Sequence, residues 1–354
     1  MSGQTTRREF LKDTGLVAGA IGVLNPMQAL AESAPRPTIK YPKGGAEHCI
    51  FIWLGGGAAQ IDMWDPKRVG DPKAKKAGSA YPAVDTAIPG VQVTEHLGQC
   101  AKILDRFCLL RTVNHDTKDE HAAATNRMHT GRPVSGTIVY PSIGSIVANQ
   151  RGKVTKGMPA YVVMGYPNLT RGPGFLGAQD SYIYLIDTEA GPVGLRRPSG
   201  ISDTRQTRRE QLLSGLRSGF RQRASTDPAV KNYDSVIEEA FALGRGEFMN
   251  AFQLTNESGG LRESYGGEFG QRCLLARRLV QRGVRFIEVS FNLNFINGTG
   301  WDTHNEGQEN QHILIRQLDQ ALASLVLDLE KHKLFDKTLV VVATEFGRPA
   351  QFDD

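Results

Sequence analysis

The carboxyl-terminal third of the chain limits the fold most. The strand-like octet VRFIEVSF (284–291) is followed by HILIRQLDQALASLVLDLEKHKL (312–334), and then by KTLVVVATEFGR (337–348). The middle segment repeats its apolar residues near every 3.6 positions and is an amphipathic helix. The outer two are short and rich in β-branched and apolar residues, the pattern of buried strands. Two such strands separated by a helix cannot close a hairpin. They pair in parallel through a crossover, which is right-handed in nearly all known cases.

The upstream sequence extends this scheme. EFGQRCLLARRLVQRG (268–283) is a second amphipathic helix, stopped at Gly283. HCIFIWLGGG (48–57) and PAYVVMG (159–165) are two more buried strands, the first running into a glycine triplet. LGQCAKILDRFCLLRTV (97–113) predicts a short helix and then a further strand, and HAAATNRMHTGRP (121–133) a helix closed by Gly131 and Pro133. Residues 66–92 and 166–200, rich in Gly and Pro, are expected as loops, and about 203–258 as a helical insertion. The expected fold is α/β: a three-layer, doubly wound, mostly parallel sheet in one domain spanning 32–354. The chain ends at Asp354 soon after its last strand, which reads as a carboxyl-terminal truncation.

The amino terminus carries a different signal. In TTRREFLKDTGLVAGAIGVL, Arg7-Arg8 precede Phe10-Leu11-Lys12 and an uncharged apolar stretch too short for a stable membrane span. Ala29-Leu30-Ala31 then supplies small residues for cleavage. Residues 1–31 therefore read as a twin-arginine (Tat) export signal, which implies the Tat machinery as a partner and a periplasmic or extracellular mature protein. A net charge of +5, without a basic stripe interleaved with aromatics, argues against nucleic-acid binding. Cys49, Cys100, Cys108 and Cys273 form no CxxC pair, so buried free thiols are expected rather than a zinc knuckle.

Three loops fall at the carboxyl ends of predicted strands, where open α/β sheets bind ligands: Gly55-Gly56-Gly57, GWDTHNE (300–306) and Thr344-Glu345. Asp302, His304 and Glu345, with Asp62, form a candidate set of metal ligands. The plainer alternatives are a helix N-cap for Asp302 and pairing with Arg348 for Glu345. His121 and His129 are candidate acid–base residues, and the glycine amides a candidate oxyanion cradle. Asp65-Pro66 also reads as a turn.

TEFGR resembles the strand end that carries a metal ligand in sulfatases and the wider alkaline-phosphatase-like superfamily. HAAATNRMHTGR resembles the sulfatase nucleophile helix, which closes with Thr-Gly-Arg. The export signal, GGG…QIDMWDPK, HTGRP, YGGEFGQRCLLARRLVQRGVRF, GWDTHN and TEFGR together resemble the exported family called domain of unknown function 1501. The resemblance implies an alkaline-phosphatase-like fold, a divalent metal (Zn, Mn, Mg or Ca), a phosphate or sulfate ester or a modified glycan as substrate, and Arg132 as a substrate-binding residue. The departures matter too. Gly55 and Gly56 stand where sulfatases place two aspartates, and His121 where they place the nucleophile. A non-catalytic envelope or polysaccharide-binding protein that has lost the nucleophile is therefore the alternative expectation.

Overall fold

The structure, a computed structural model, describes residues 44–71, 73–155, 157–166, 169–223, 227–245, 247–291, 300–304 and 307–352. The export segment at 1–31 lies outside them, as do residues 292–299 and 305–306, which flank the Trp301 loop. Contacts divide the chain into Met1–Gly44 and Gly45–Asp354, and all that follows concerns the second unit.

Its strands are β1 (His48–Trp53), β2 (Ala83–Asp85), β3 (Gln92–Thr94), β4 (Tyr161–Met164), β5 (Ile183–Leu185), β6 (Phe286–Ser290) and β7 (Thr338–Ala343). Among the described residues, five of them form a parallel sheet in the order β5-β4-β6-β1-β7, while β2 and β3 pair as a small antiparallel ribbon. β1 is central, with Ile50 in register with Ile287 of β6 on one side and Val340 of β7 on the other. Six main helices accompany them: α1 (His121–Thr130), α2 (Ile143–Arg151), α3 (Asp203–Arg223), α4 (Pro228–Arg245), α5 (Glu268–Gln281) and α6 (His312–Lys331).

Alternation along the strands builds two cores. Ile50, Ile52, Val162, Met164, Ile287 and Val289 point to the face that packs on Leu274 and Leu275 of α5 and Leu318 and Leu322 of α6. Phe51, Trp53, Tyr161, Val163 and Phe286 point to the other, against Ala148 of α2 and Met128 of α1. Because both faces are covered, all five residues of β6 are buried, Glu288 and Ser290 among them. The sheet is thus α/β and parallel, flanked by helices. No helix among the described residues is long and apolar enough to cross a membrane.

α1 and α6 owe their ends to local chemistry. The Glu120 carboxylate accepts the N–H groups of Ala122 and Ala123, and Gly131, at φ 67°, stops α1 in a left-handed turn. α6 buries Leu314, Ile315, Leu318, Leu322, Leu325 and Leu329 on one stripe. A buried ion pair joins it to α5, with Arg277 Nε 2.7 Å from Asp328 Oδ2, which also accepts the Tyr265 hydroxyl at 2.9 Å.

Three sequence expectations change. Residues 107–113 form no strand: β1 already has β6 and β7 on its two edges, and Leu110 and Val113 face water. The segment 166–200 contains β5 at the edge of the sheet, and 66–92 contains β2 and the start of β3. Helix α2 arises in YPSIGSIVANQRG, where Ser142 caps it by accepting the Ser145 N–H at 3.2 Å. All four cysteines are free, Cys108 exposed and Cys100 and Cys273 buried.

Candidate functional site at the carboxyl edge of the sheet

Where β1 ends, the chain turns through Gly55, Gly56 and Gly57 and meets two other loops. Gly56 lies at φ 130°, and a Cβ there would stand 2.1 Å from the Asp302 backbone nitrogen. Only glycine permits that approach. The Gly56 N–H donates to Glu345 Oε1 at 2.8 Å, so this amide serves a carboxylate rather than a bound oxyanion. Just beyond β7, the Thr344 hydroxyl accepts the Ala58 N–H at 3.0 Å. These contacts fix the β1 and β7 ends against each other.

Glu345 is 2 % exposed, and its Oε1 faces His121 Nδ1 at 2.7 Å. His121 is the first residue of α1. With Nδ1 donating to Glu345, Nε2 is left to face Asp302. It stands 3.4 Å from Asp302 Oδ1, and the His121 side chain is 38 % exposed. The Phe346 ring packs against the imidazole with centroids 4.8 Å apart.

Asp302 is the second focus. Its Oδ1 is 3.0 Å from His304 Nε2 and accepts from Arg348 Nη2 at 2.6 Å. Arg348 also donates to the carbonyls of Gly56 and Gly57 at 2.8 and 2.9 Å, tying all three loops together. Burial alone would raise the Asp302 carboxyl. The Arg348 hydrogen bond and the neighbouring His121 and His304 outweigh it and hold the carboxyl below the usual aspartate range. Arg348 therefore pairs with Asp302, not with Glu345. Trp301, fully buried, anchors the loop edge-on against Phe291, centroids 5.3 Å apart.

The fold gathers His121, Asp302, His304 and Glu345 around the glycine turn, while Asp62, Asp65, Arg132 and His129 make other contacts. Asp62 is buried, with Oδ1 accepting the Ala80 N–H at 2.6 Å and Oδ2 the Gln308 amide at 3.1 Å; burial pushes its pKa up. It braces the turn after β1. Asp65 pairs on the surface with Lys67 at 2.7 Å. Arg132 is exposed, its guanidinium 6.0 Å from the centre of the Tyr140 ring.

His129 is 1 % exposed and belongs to a separate buried cluster. Its Nδ1 bonds the Thr125 carbonyl at 2.9 Å, and its Nε2 lies 3.3 Å from Glu288 Oε2. Glu288, on β6, is fully buried and receives Arg171 Nε at 2.5 Å. Burial pushes this carboxyl up, but Arg171 and His129 outweigh burial and bring it down to about 2. The sequence reading missed the roles of Arg171, Glu288 and Arg348. Of these only Arg348 carried a signal, its place in TEFGR.

Two carboxylates and two imidazoles are donor types that suit a divalent cation. Among the described residues, however, no group of three His, Cys, Asp or Glu is arranged to hold one, and Asp302 is engaged by Arg348. The arrangement is suited to moving a proton at His121 Nε2 beside a guanidinium.

These features define an α/β protein with a parallel sheet whose carboxyl edge holds an imidazole between two carboxylates. Residues 46–354 match the family described as "Protein of unknown function (DUF1501)", and the chain belongs to that family. No curated protein and no solved structure matches it.

Proposed function

We propose that this chain is an exported hydrolase of phosphate or sulfate esters, built on an alkaline-phosphatase-like fold. One observation carries the reading: the His121 imidazole, held through Nδ1 by the buried Glu345 carboxylate, turns Nε2 toward Asp302, whose Oδ1 also meets His304 and Arg348. A buried carboxylate that fixes the tautomer and aim of a histidine is the arrangement used for general acid–base catalysis.

In this scheme Arg348 and His304 attract the anionic ester, and Asp302 holds both in place. His121 Nε2 takes a proton from the attacking water and returns it to the departing alkoxide. Glu345 keeps the ring oriented and balances the transient imidazolium. Twin-arginine export would place the activity outside the cytoplasmic membrane.

The test is turnover of a panel of phosphate and sulfate monoesters, with and without added divalent cations, beside His121→Ala. The expected loss is about 10²–10⁴-fold in kcat/KM. Absence of turnover from the wild-type chain under every condition would overturn the proposal in favour of a non-catalytic binding protein. The occupied Gly56 amide is the feature that favours this second reading.

A further inference from the structure

Helix α3 meets α4 through charged side chains. Its inward residues are polar: Arg217 pairs with Asp234 and, at 3.1 Å, with Glu238 of α4, and Arg221 lies 3.3 Å from Asp234. Its leucines face water, Leu212 at 66 % and Leu216 at 71 % exposure, with Leu213 beside them. At about 100° per residue, Arg205, Arg208, Arg209, Leu212 and Leu216 fall along one side of the helix. The three arginines are exposed, and among the described residues no carboxylate pairs with them. A side that carries two exposed leucines in line with three exposed arginines offers both apolar and cationic contacts to a partner.

We propose that this face of α3 docks on an anionic lipid surface. The helix has 21 residues, roughly 31 Å of rod that can lie flat along a headgroup layer. Leu212 and Leu216 enter the acyl boundary while Arg205, Arg208 and Arg209 reach lipid phosphates. A second copy of the chain is a poor occupant, because it would set the same arginines against each other. An acidic protein groove fits less well, since the arginines continue the line of the leucines rather than ringing them as a polar rim would. The inference stands apart from the ester-hydrolase reading and shares no residue with it.

The experiment uses the full chain carrying Cys108→Ser, with a polarity-sensitive dye on Leu216→Cys or, as control, on Leu327→Cys. Leu327 is also exposed, at 46 %, on the unrelated helix α6. Vesicles of phosphatidylcholine with phosphatidylglycerol are compared with phosphatidylcholine alone. The expected result is a blue shift at 216 with the anionic vesicles only, none at 327, and a loss of affinity of about fivefold for each of Arg208→Gln and Arg209→Gln. A dye at 216 that does not respond to anionic vesicles, even if the chain co-sediments through residues 1–43, overturns the proposal and leaves a protein partner. An equal shift on neutral vesicles also overturns it, because the arginines would then play no part.

Discussion

His121 Nδ1 lies 2.7 Å from Glu345 Oε1, although 224 positions separate the two residues. One opens α1 and the other follows β7, and the turn after β1 brings the third partner, the Gly56 N–H. The pair joins the two ends of the fold, so its geometry depends on every loop at that edge.

Gly56 is where that dependence is sharpest. Gly56→Ala puts a Cβ 2.1 Å from the Asp302 nitrogen at a φ of 130°. The expected cost is about 2 kcal/mol or more, read as a lower urea midpoint. Because the shift displaces Asp302, the variant also loses ester turnover.

Asp302 and Asp62 should respond to pH with opposite sign. The folded Asp302 carboxyl is held down, so its contribution is present above the unfolded pKa of about 3.9 and lost as pH falls through the folded value. Asp302→Asn therefore lowers stability near neutrality and flattens the acid limb of the denaturation profile. The folded Asp62 carboxyl is raised, so stability falls from about pH 3.9 upward until the folded group has also ionised, and that loss persists at higher pH. Asp62→Asn should remove that penalty and leave turnover within about twofold. Chemical denaturation across pH 3–8 checks both.

Glu288 makes the strongest stability prediction. Its carboxylate has no exposure and lies between Arg171 and His129. Glu288→Gln leaves the buried guanidinium without its counter-charge and should cost about 3–5 kcal/mol. With a folded pKa of about 2, the wild-type contribution is complete above the unfolded value near 4.3 and fades as pH falls toward 2.

Regular burial made much of the fold legible. β1, β4, β6 and β7 announce themselves because a parallel sheet covered on both faces needs unbroken apolar runs, and α5 and α6 because each buries one stripe. β5 did not, since three residues at the sheet edge, one of them an exposed tyrosine, leave too short a pattern. The leucines at 109 and 110 misled for the opposite reason: they are apolar, but both edges of β1 are taken. In the site, His121, Asp302, His304 and Glu345 were readable as strand-end or loop residues. Arg348 was not readable as the partner of Asp302, because a contact across 46 residues depends on how two loops meet. His129 sits eight residues beyond His121, about 12 Å along and 80° around the helix, which points it into the Glu288 cluster rather than the cleft.

Arg348 should prove as important as either carboxylate. Arg348→Met removes one charged hydrogen bond to Asp302 and two to the glycine carbonyls. A loss of about 2–4 kcal/mol in stability is expected, together with a raised KM for anionic esters. Lysine should restore charge without the fork and rescue KM only in part.

The most direct measurement is the ring protonation of His121 by nitrogen-15 NMR of the selectively labelled chain, assigned by its loss in His121→Ala. The account predicts that Nδ1 carries the proton in the neutral ring, with Nε2 unprotonated, and that Glu345→Gln disturbs this preference. A neutral His121 protonated at Nε2, unchanged by Glu345→Gln, would contradict it.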